Sequence, residues 1–285
     1  MNSRTNNRHG QALIFGFFLL LVASRAADIV VVPSDGIDDL SKPAVVNLTV
    51  VAGAGGTDST SHNRSATADG FLAVVSSGAG HLKAPGPAGG SPCGRRARTS
   101  FTAKANECQY ATNGSPFNMA TGDCDCGLSI TNGQPYGSGG WGVGFGTTKQ
   151  GNYVIGTLDN ETVAAMNVTE FVVGFSWLVR DGVNVAGSGD FIAPRTTIGT
   201  TAEGQLLSLT VDGCEPTSKC QFQLGRTESE MADLLVSFGA VHAVNLDGGG
   251  SSAVVVDGHI VDHPTDSDKW ALRIERPVTT IVCVQ

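Results

Sequence analysis

Residues 243–258 read AVNLDGGGSSAVVVDG, so one carboxylate, Asp247, stands on a run of three glycines between two apolar segments. A carboxylate at an open strand end can act as base, as nucleophile or as hydrogen-bond acceptor for a polyol. Gly248, Gly249 and Gly250 carry no Cβ to hold a ligand away from their amides, at an entropic cost that a plain turn does not require. The competing reading is a glycine-rich link between strands. Residues 241–246 and 253–256 are too short, apolar and β-branched for anything but buried strands, which puts Asp247 at the mouth of a sheet.

The element that must position this loop comes just before it. Thr227 and Glu230 form a capping box, and Met231, Leu234, Leu235 and Phe238 make an apolar stripe at helical spacing, ended by Gly239. That helix is expected to pack on the sheet and fix the loop. Upstream, a short helix over 161–166, a buried strand over 171–179 and a turn at Asp181-Gly182 are predicted. Asn113-Gly114 reads as a turn after a strand, and Thr99 or Ser100 as the cap of a short helix running to Cys108. In residues 139–148 Trp141, Val143 and Phe145 alternate with Gly142, Gly144 and Gly146, giving a bulky face and a bare face open to another backbone or a sugar. No helical pattern follows these glycines, so they are not a dinucleotide fingerprint. His62 and His81 read as solvated surface residues. Asp257-Gly258 signals a hairpin, and 279–284 a last buried strand.

The chain has 285 residues, of which 41% are hydrophobic, 15% charged and 38 are glycine, which suits a strand-rich globular body with many tight turns. Residues 1–26 read as a secretory leader, with Arg4 and Arg8 ahead of an apolar run over 12–23 and small residues at Ser24 and Ala26. Its removal takes away three positive charges and moves the formal charge from -8 to -11, which leaves no basic footprint for nucleic acid. No span of roughly 20 apolar residues marks a membrane helix in the mature chain. Seven cysteines in a secreted chain imply disulfides with one thiol left over, and Cys214 with Cys220 is the pair easiest to assign. Cys124 and Cys126 are poorly spaced for zinc, so neither metal nor cofactor is expected. Sequons at Asn47, Asn63, Asn160 and Asn167 suggest surface glycans; a fifth, at Asn113, is discouraged by Pro116.

The segments AVNLDGGGSS, PRTTIG at 194–199, GTLDNETVAAM, WLVRDG and PCGRRARTSFTAKANECQYATNG together resemble the phosphodiester glycosidases of the mannose 6-phosphate uncovering type, in order, from about Gly86 onward. The resemblance implies hydrolysis of a sugar-1-phosphodiester, releasing N-acetylglucosamine and leaving a phosphomonoester such as a mannose 6-phosphate group, in the lumen of the secretory pathway, Golgi or lysosome. For that reaction Asp247 is the candidate base or nucleophile at the anomeric carbon, or the acceptor for sugar hydroxyls, Arg195 the candidate phosphate clamp through its guanidinium fork, and the amides of Gly248, Gly249 and Gly250 sharers of the anion load. Asn113, Gly114, Thr196 and Ser251 become substrate contacts, with Asn113 on the rim. Asp123, Asp212 and Asp257 are the candidates for a second carboxylate. The resemblance also implies pairing of Cys108 with Cys283 and of Cys93 with Cys124 or Cys126.

The family's Asn-Gly-Gly-Phe-Phe is here Asn113-Gly114-Ser115-Pro116-Phe117, which favours as alternatives a catalytically inactive glycan-binding module or a structural secreted glycoprotein. The expected fold is α+β on a mixed, mostly antiparallel sheet system, with an all-β sandwich as the rival. Residues 27–90 are expected to add strands and a mobile loop, over 53–68, to the domain formed by 91–285.

Overall fold

The computed structural model describes residues 28–34, 44–58, 66–76, 78–87, 90–124, 127–214, 224–266 and 272–285. A six-stranded sheet has the order β1 (Val30–Pro33), β11 (Asn152–Gly156), β10 (Gly144–Thr148), β12 (Val168–Val173), β8 (Leu128–Thr131), β9 (Gln134–Gly137). A seven-stranded sheet follows β14 (Val183–Asn184), β13 (Ser176–Arg180), β17 (Ala240–Asn245), β15 (Arg195–Thr201), β16 (Leu206–Val211), β5 (Gly70–Ser76), β2 (Val45–Val51). A five-stranded sheet follows β19 (His259–Ile260), β18 (Val254–Val256), β7 (Tyr110–Asn113), β20 (Ile281–Val284), β6 (Leu82–Lys83). The ribbon β3 (Thr57–Asp58) and β4 (Ala66–Thr67) falls within the 53–68 stretch expected to form a mobile loop, of which 59–65 lie outside the described residues.

Among the described residues every strand ladder is antiparallel, and the parallel component expected of a mixed system reduces to one bridge, Thr265 with Ile274. Helices are few: α1 (Gly78–His81), α2 (Thr99–Ala105), α3 (Asn160–Met166) and α4 (Glu228–Ser237). One apolar cluster draws Phe145, Tyr153 and Ile155 from the first sheet, Val75, Ile198, Leu206 and Val244 from the second, and Tyr110, Val254 and Val282 from the third. The three sheets therefore share a core.

The capping box at Thr227 forms as expected, with the Thr227 side chain accepting from the Glu230 amide and the Glu230 carboxylate from the Thr227 amide. The stripe of α4 buries Met231 and Leu235 against Leu178, Val179, Leu207 and Ala243 of the seven-stranded sheet. Each such side chain contributes roughly 1.5–3 kcal/mol, enough to hold a ten-residue helix that would not persist alone.

Several local expectations shift. The strand expected over 171–179 is two strands in different sheets, β12 and β13, broken at Gly174 and Phe175. The break is needed because a Cβ at Gly174 would strike the carbonyl oxygen of Asn245, while the Phe175 amide donates to that oxygen at 2.8 Å. The bare face of 142–146 is filled by protein: a Cβ at Gly144 would meet the Phe171 ring and one at Gly146 the Glu170 carbonyl. Helix α3 starts at Asn160 and is capped by Asp159, which accepts from Thr162 at 2.8 Å. In α2 neither Thr99 nor Ser100 caps; Glu275 does so from a distant segment, accepting from the Ser100 amide at 3.0 Å and hydroxyl at 2.5 Å, and Cys108 lies beyond the helix. Residues 195–197 open a strand of their own, β15, ahead of β16.

Cys108 pairs with Cys283 and Cys93 with Cys124. Cys214 is disulfide-bonded, while Cys220, Cys126, the leader and the Asn63 sequon lie outside the described residues. The Cys108–Cys283 bridge closes a separation of 175 residues, which the chain-entropy model values at about 4–5 kcal/mol. Peptide mapping without reductant is expected to recover both links. Replacing Cys108 and Cys283 together by serine is expected to lower the urea midpoint by the equivalent of about 2–5 kcal/mol; an unchanged midpoint would show that the bridge does not constrain the chain.

Candidate active site

Strand β17 runs out at Asn245 between the starts of β13 and β15, and the chain then turns through Asp247 into a 3-10 turn, Gly249–Ser251. Backbone bonds seat this turn on β15: Leu246 donates to Thr196 O at 2.9 Å and Gly249 to Pro194 O at 2.9 Å. Bonds from the other side come from the end of β7. The Asp247 amide donates to Gly114 O at 3.2 Å, and Asn113 Nδ2 donates to Asp247 O at 2.6 Å. Asn113 Oδ1 accepts from Thr196 Oγ1 at 2.8 Å, Thr112 Oγ1 at 3.2 Å and the Ala253 amide at 3.3 Å.

Asn113 is therefore not on a rim. It is fully buried beneath the turn, its carboxamide joining β7, β15 and both ends of the glycine segment, and its sequon is closed to a glycan in the folded chain. The departure beside it is absorbed: Ser115 is buried, its hydroxyl 3.1 Å from Ser129 Oγ and accepting from the Val173 amide at 3.0 Å. The bonds made by Asn113 and Gly114 to Asp247 are intact despite Ser115 and Pro116.

The three glycines do not present a row of amides. Gly248 donates to Asp247 Oδ1 at 3.0 Å and Gly249 to Pro194, so two of the three expected anion donors are engaged inside the turn. What requires glycine is space and dihedral. Gly249 has φ +58°, and a Cβ at Gly250 would collide with the guanidinium of Arg276. Arg276 is a residue that the sequence did not reveal. It lies 26 positions beyond Gly250 in a segment without a motif, yet its Nε donates to Asp266 Oδ1 at 2.6 Å and its Nη1 to Ser251 Oγ at 3.3 Å.

Arg195 lies beside the turn but is tied down. Its Nε donates to Arg226 O at 3.1 Å, its Nη2 to Phe191 O at 2.7 Å, and its Nη1 is 3.6 Å from Glu228 Oε1. Glu228 also accepts from Ser176 Oγ at 2.9 Å and Asn245 Nδ2 at 3.2 Å, so the first residue of α4 links the ends of β13, β17 and β15. Thr196 is fully buried, its hydroxyl on Asn113, and Ser251 is buried against Arg276.

Of the three further carboxylates, Asp123 and Asp257 are exposed, Asp257 in a hairpin turn at φ +48°. Asp212 is buried at the end of β16, in the strand next to β15 at the same sheet end, and accepts from the His263 amide at 3.0 Å. Burial pushes its pKa from 3.8 to about 7, the charge of Asp69 adding to the rise and the His263 amide opposing it. Behind it Asp262 is fully buried and held well above its ordinary range, first by burial and then by Asp212. Burial also raises Tyr110, whose hydroxyl donates to Ser208 Oγ at 2.9 Å.

Among the described residues no three His, Cys, Asp or Glu side chains converge in a metal-binding group. No described helix is long and apolar enough to cross a membrane. A cleft lined by Lys83, Lys149 and Glu170 and another lined by Arg98, Arg273 and Glu275 do not include Asp247. Asn47, Asn160 and Asn167 are exposed.

The family model for phosphodiester glycosidases matches residues 106–285, the stretch that holds Asn113, Arg195, Asp247 and Arg276. The chain belongs to the phosphodiester glycosidase family. It is 34% identical over 225 residues to the bovine (Bos taurus) N-acetylglucosamine-1-phosphodiester alpha-N-acetylglucosaminidase, covering 70% of this chain and 41% of the relative. The human (Homo sapiens) relative of the same name is 33% identical over 224 residues, covering 70% and 42%. The chain thus spans less than half the length of the curated relatives it matches. In fold it is similar to the zebrafish N-acetylglucosamine-1-phosphodiester alpha-N-acetylglucosaminidase catalytic domain, solved auto-inhibited by its pro-peptide, at a TM-score of 0.75, 24% identity, and coverage of 93% and 90%. A hypothetical protein from Synechocystis shares the fold more loosely, at a TM-score of 0.55 and 12% identity over 85% and 62% of the two chains.

Two outcomes are expected for this chain. Asn113→Ala removes the partners of Asp247 O, Thr196 and Ala253 in a buried place, at about 1–3 kcal/mol for each group left unsatisfied, and the loss in chemical denaturation should exceed that of Asn47→Ala. The second follows from Asp212 holding its proton in the folded state up to about pH 7 but only to about 3.8 when exposed. The folded state then binds more protons across that window, so stability falls as pH rises through it. Asp212→Asn is expected to flatten the pH profile of Tm between about 4 and 7 and to raise Tm at pH 8; a lower Tm at pH 8 would show the carboxylate to be stabilising when charged.

Proposed function

We propose that this chain hydrolyses a sugar-1-phosphodiester, releasing N-acetylglucosamine and leaving a phosphomonoester such as a mannose 6-phosphate group. The observation that carries the reading is the Asp247 turn, held from two sheets by Asn113, Gly114, Pro194 and Thr196, with a guanidinium at its back. The relatives at 33–34% identity are named for this reaction. The disulfides fit an oxidising compartment, which supports a place in the lumen of the secretory pathway, on the route of lysosomal targeting.

In the proposed reaction water oxygen bonds to the anomeric carbon while the bond from that carbon to the phosphate oxygen breaks. The electron pair leaves on the phosphate and the water proton passes to a base. A phosphomonoester leaves readily, so catalysis depends less on a strong general acid than on a cation facing the phosphate. Asp247, half-buried at the strand end, is the carboxylate assigned to the anomeric carbon. Arg276 is the cation best placed beside the turn, and Ser251 orients it. Arg195, whose fork holds Phe191, Arg226 and Glu228, orders the neighbouring strand ends and reaches phosphate by exchanging the Glu228 ion pair for the ligand. Asp212, protonated to about pH 7, is the second carboxylate, available as a proton donor on the β16 side.

A second reading, a glycan-binding module without turnover, is favoured by the engagement of the Gly248 and Gly249 amides inside the turn, which removes two of the three expected anion donors. One assay separates the two: free sugar is measured after incubation with N-acetylglucosamine-1-phospho-methylmannoside. Asp247→Asn is expected to lower turnover about a hundredfold or more with folding retained. Arg276→Lys is expected to cost more turnover than Arg195→Lys, since the second lysine can still pair with Glu228. Equal turnover by Asp247→Asn and wild type would misplace the site, and binding by wild type without release of sugar would select the binding module.

A further inference from the structure

Exposed aromatic side chains are expensive to leave in water, and three of them border the Asp247 turn. Trp141 is 47%, Phe175 44% and Phe191 55% exposed. Phe175 immediately precedes β13, and its amide donates to Asn245 O, two residues before Asp247. Trp141 stands edge to face with it, ring centroids 6.0 Å apart and planes at 81°. The Trp141 loop is locked in place by backbone: Gly174 donates to Val143 O at 2.9 Å, and a Cβ on Gly142 would strike Gly174 O. Sheet order separates two kinds of surface. β13 lies on one side of β17, with the aromatic pair on the segments that lead into β13 and β10, while β15 lies on the other with Arg195. Gly248 and Gly249, which lead to the Arg276 contact at Gly250, pack on Pro194 at that second side.

We infer that Trp141 and Phe175 form the platform for the released sugar, the pyranose ring on the side of Asp247 away from the phosphate. The inference rests on the proposed hydrolase site and deepens it. With the phosphate drawn to the guanidinium side, a ring bonded to it through the anomeric carbon above Asp247 extends towards β13. There it meets two apolar rings set at right angles. Such a corner matches a pyranose that shows an apolar C–H face and an acetamido methyl at its edge, and matches a compact phosphate poorly. Phe191, held over Arg195 at 5.9 Å on the opposite side, is outside this platform.

The test uses the full chain and two probes that bind on opposite sides. Free N-acetylglucosamine is titrated by saturation-transfer NMR and inorganic phosphate by competition for turnover, beside the kinetics of N-acetylglucosamine-1-phospho-methylmannoside. Trp141→Ala and Phe175→Ala are expected to weaken sugar binding and raise KM by about three- to tenfold, as expected for a lost aromatic contact of 0.5–1.5 kcal/mol, with the loss in KM rather than in kcat. The phosphate constant should move less than the sugar constant, and Trp141→Phe should recover most of the affinity. Sugar binding equal to wild type in both alanine variants would overturn the platform. So would equal loss of sugar and phosphate binding with Trp141→Phe failing to rescue, because that is the signature of a collapsed loop. If wild type releases no sugar, the hydrolase reading fails by itself, and NMR titration of sugar against the two variants still decides the platform.

Discussion

The arrangement depends on one buried carboxamide. Asn113 accepts from the Thr196 hydroxyl and the Ala253 amide and donates to the Asp247 carbonyl, so a single side chain joins the five-stranded sheet to the seven-stranded sheet at the point where the glycine turn emerges. A buried amide must find partners for all its polar atoms or lose stability, and only an ordered turn supplies them here. The demand runs both ways. The turn cannot drift without orphaning Asn113, and β7 cannot shift without releasing Asp247. Hydroxyls continue the same seam inward, with Tyr110 on Ser208 and Thr112 beside Thr210, so the contact between these two sheets is polar at its centre and apolar around it.

Around that seam the fold separates chemical functions by strand. The start of β15 carries Arg195 and the segment leading into β20 carries Arg276, while Trp141 and Phe175 precede β10 and β13. Glycines make this separation feasible. At Gly142 and Gly174 the nearest neighbour of the missing Cβ is a carbonyl oxygen, so elements meet more closely than side chains would allow. At the end of β16, burial raises Asp212 to about 7 against the opposing amide of His263 and charge of Arg273, and burial together with the charge of Asp212 raises Asp262.

Much of this was legible in the residues. The capping box at Thr227, the stripe of α4, the hairpins at Asp181 and Asp257 and the burial of the strands flanking Asp247 all follow from local rules, because caps, turns and amphipathic faces are decided within a few residues. Asp247 could be singled out because three glycines in a row have a conformational cost that invites an explanation. The tertiary structure alone decided which groups face which. It buried Asn113, engaged Arg195 with Glu228, brought Arg276 to Gly250 and raised Asp212 while leaving Asp123 and Asp257 in water. It also broke one apolar run at Gly174 into strands of two sheets. The reason is physical: strand pattern reports which face of a residue is apolar, but the partner across a sheet and the water left around a charge depend on contacts between segments tens to hundreds of residues apart, and no local pattern encodes those.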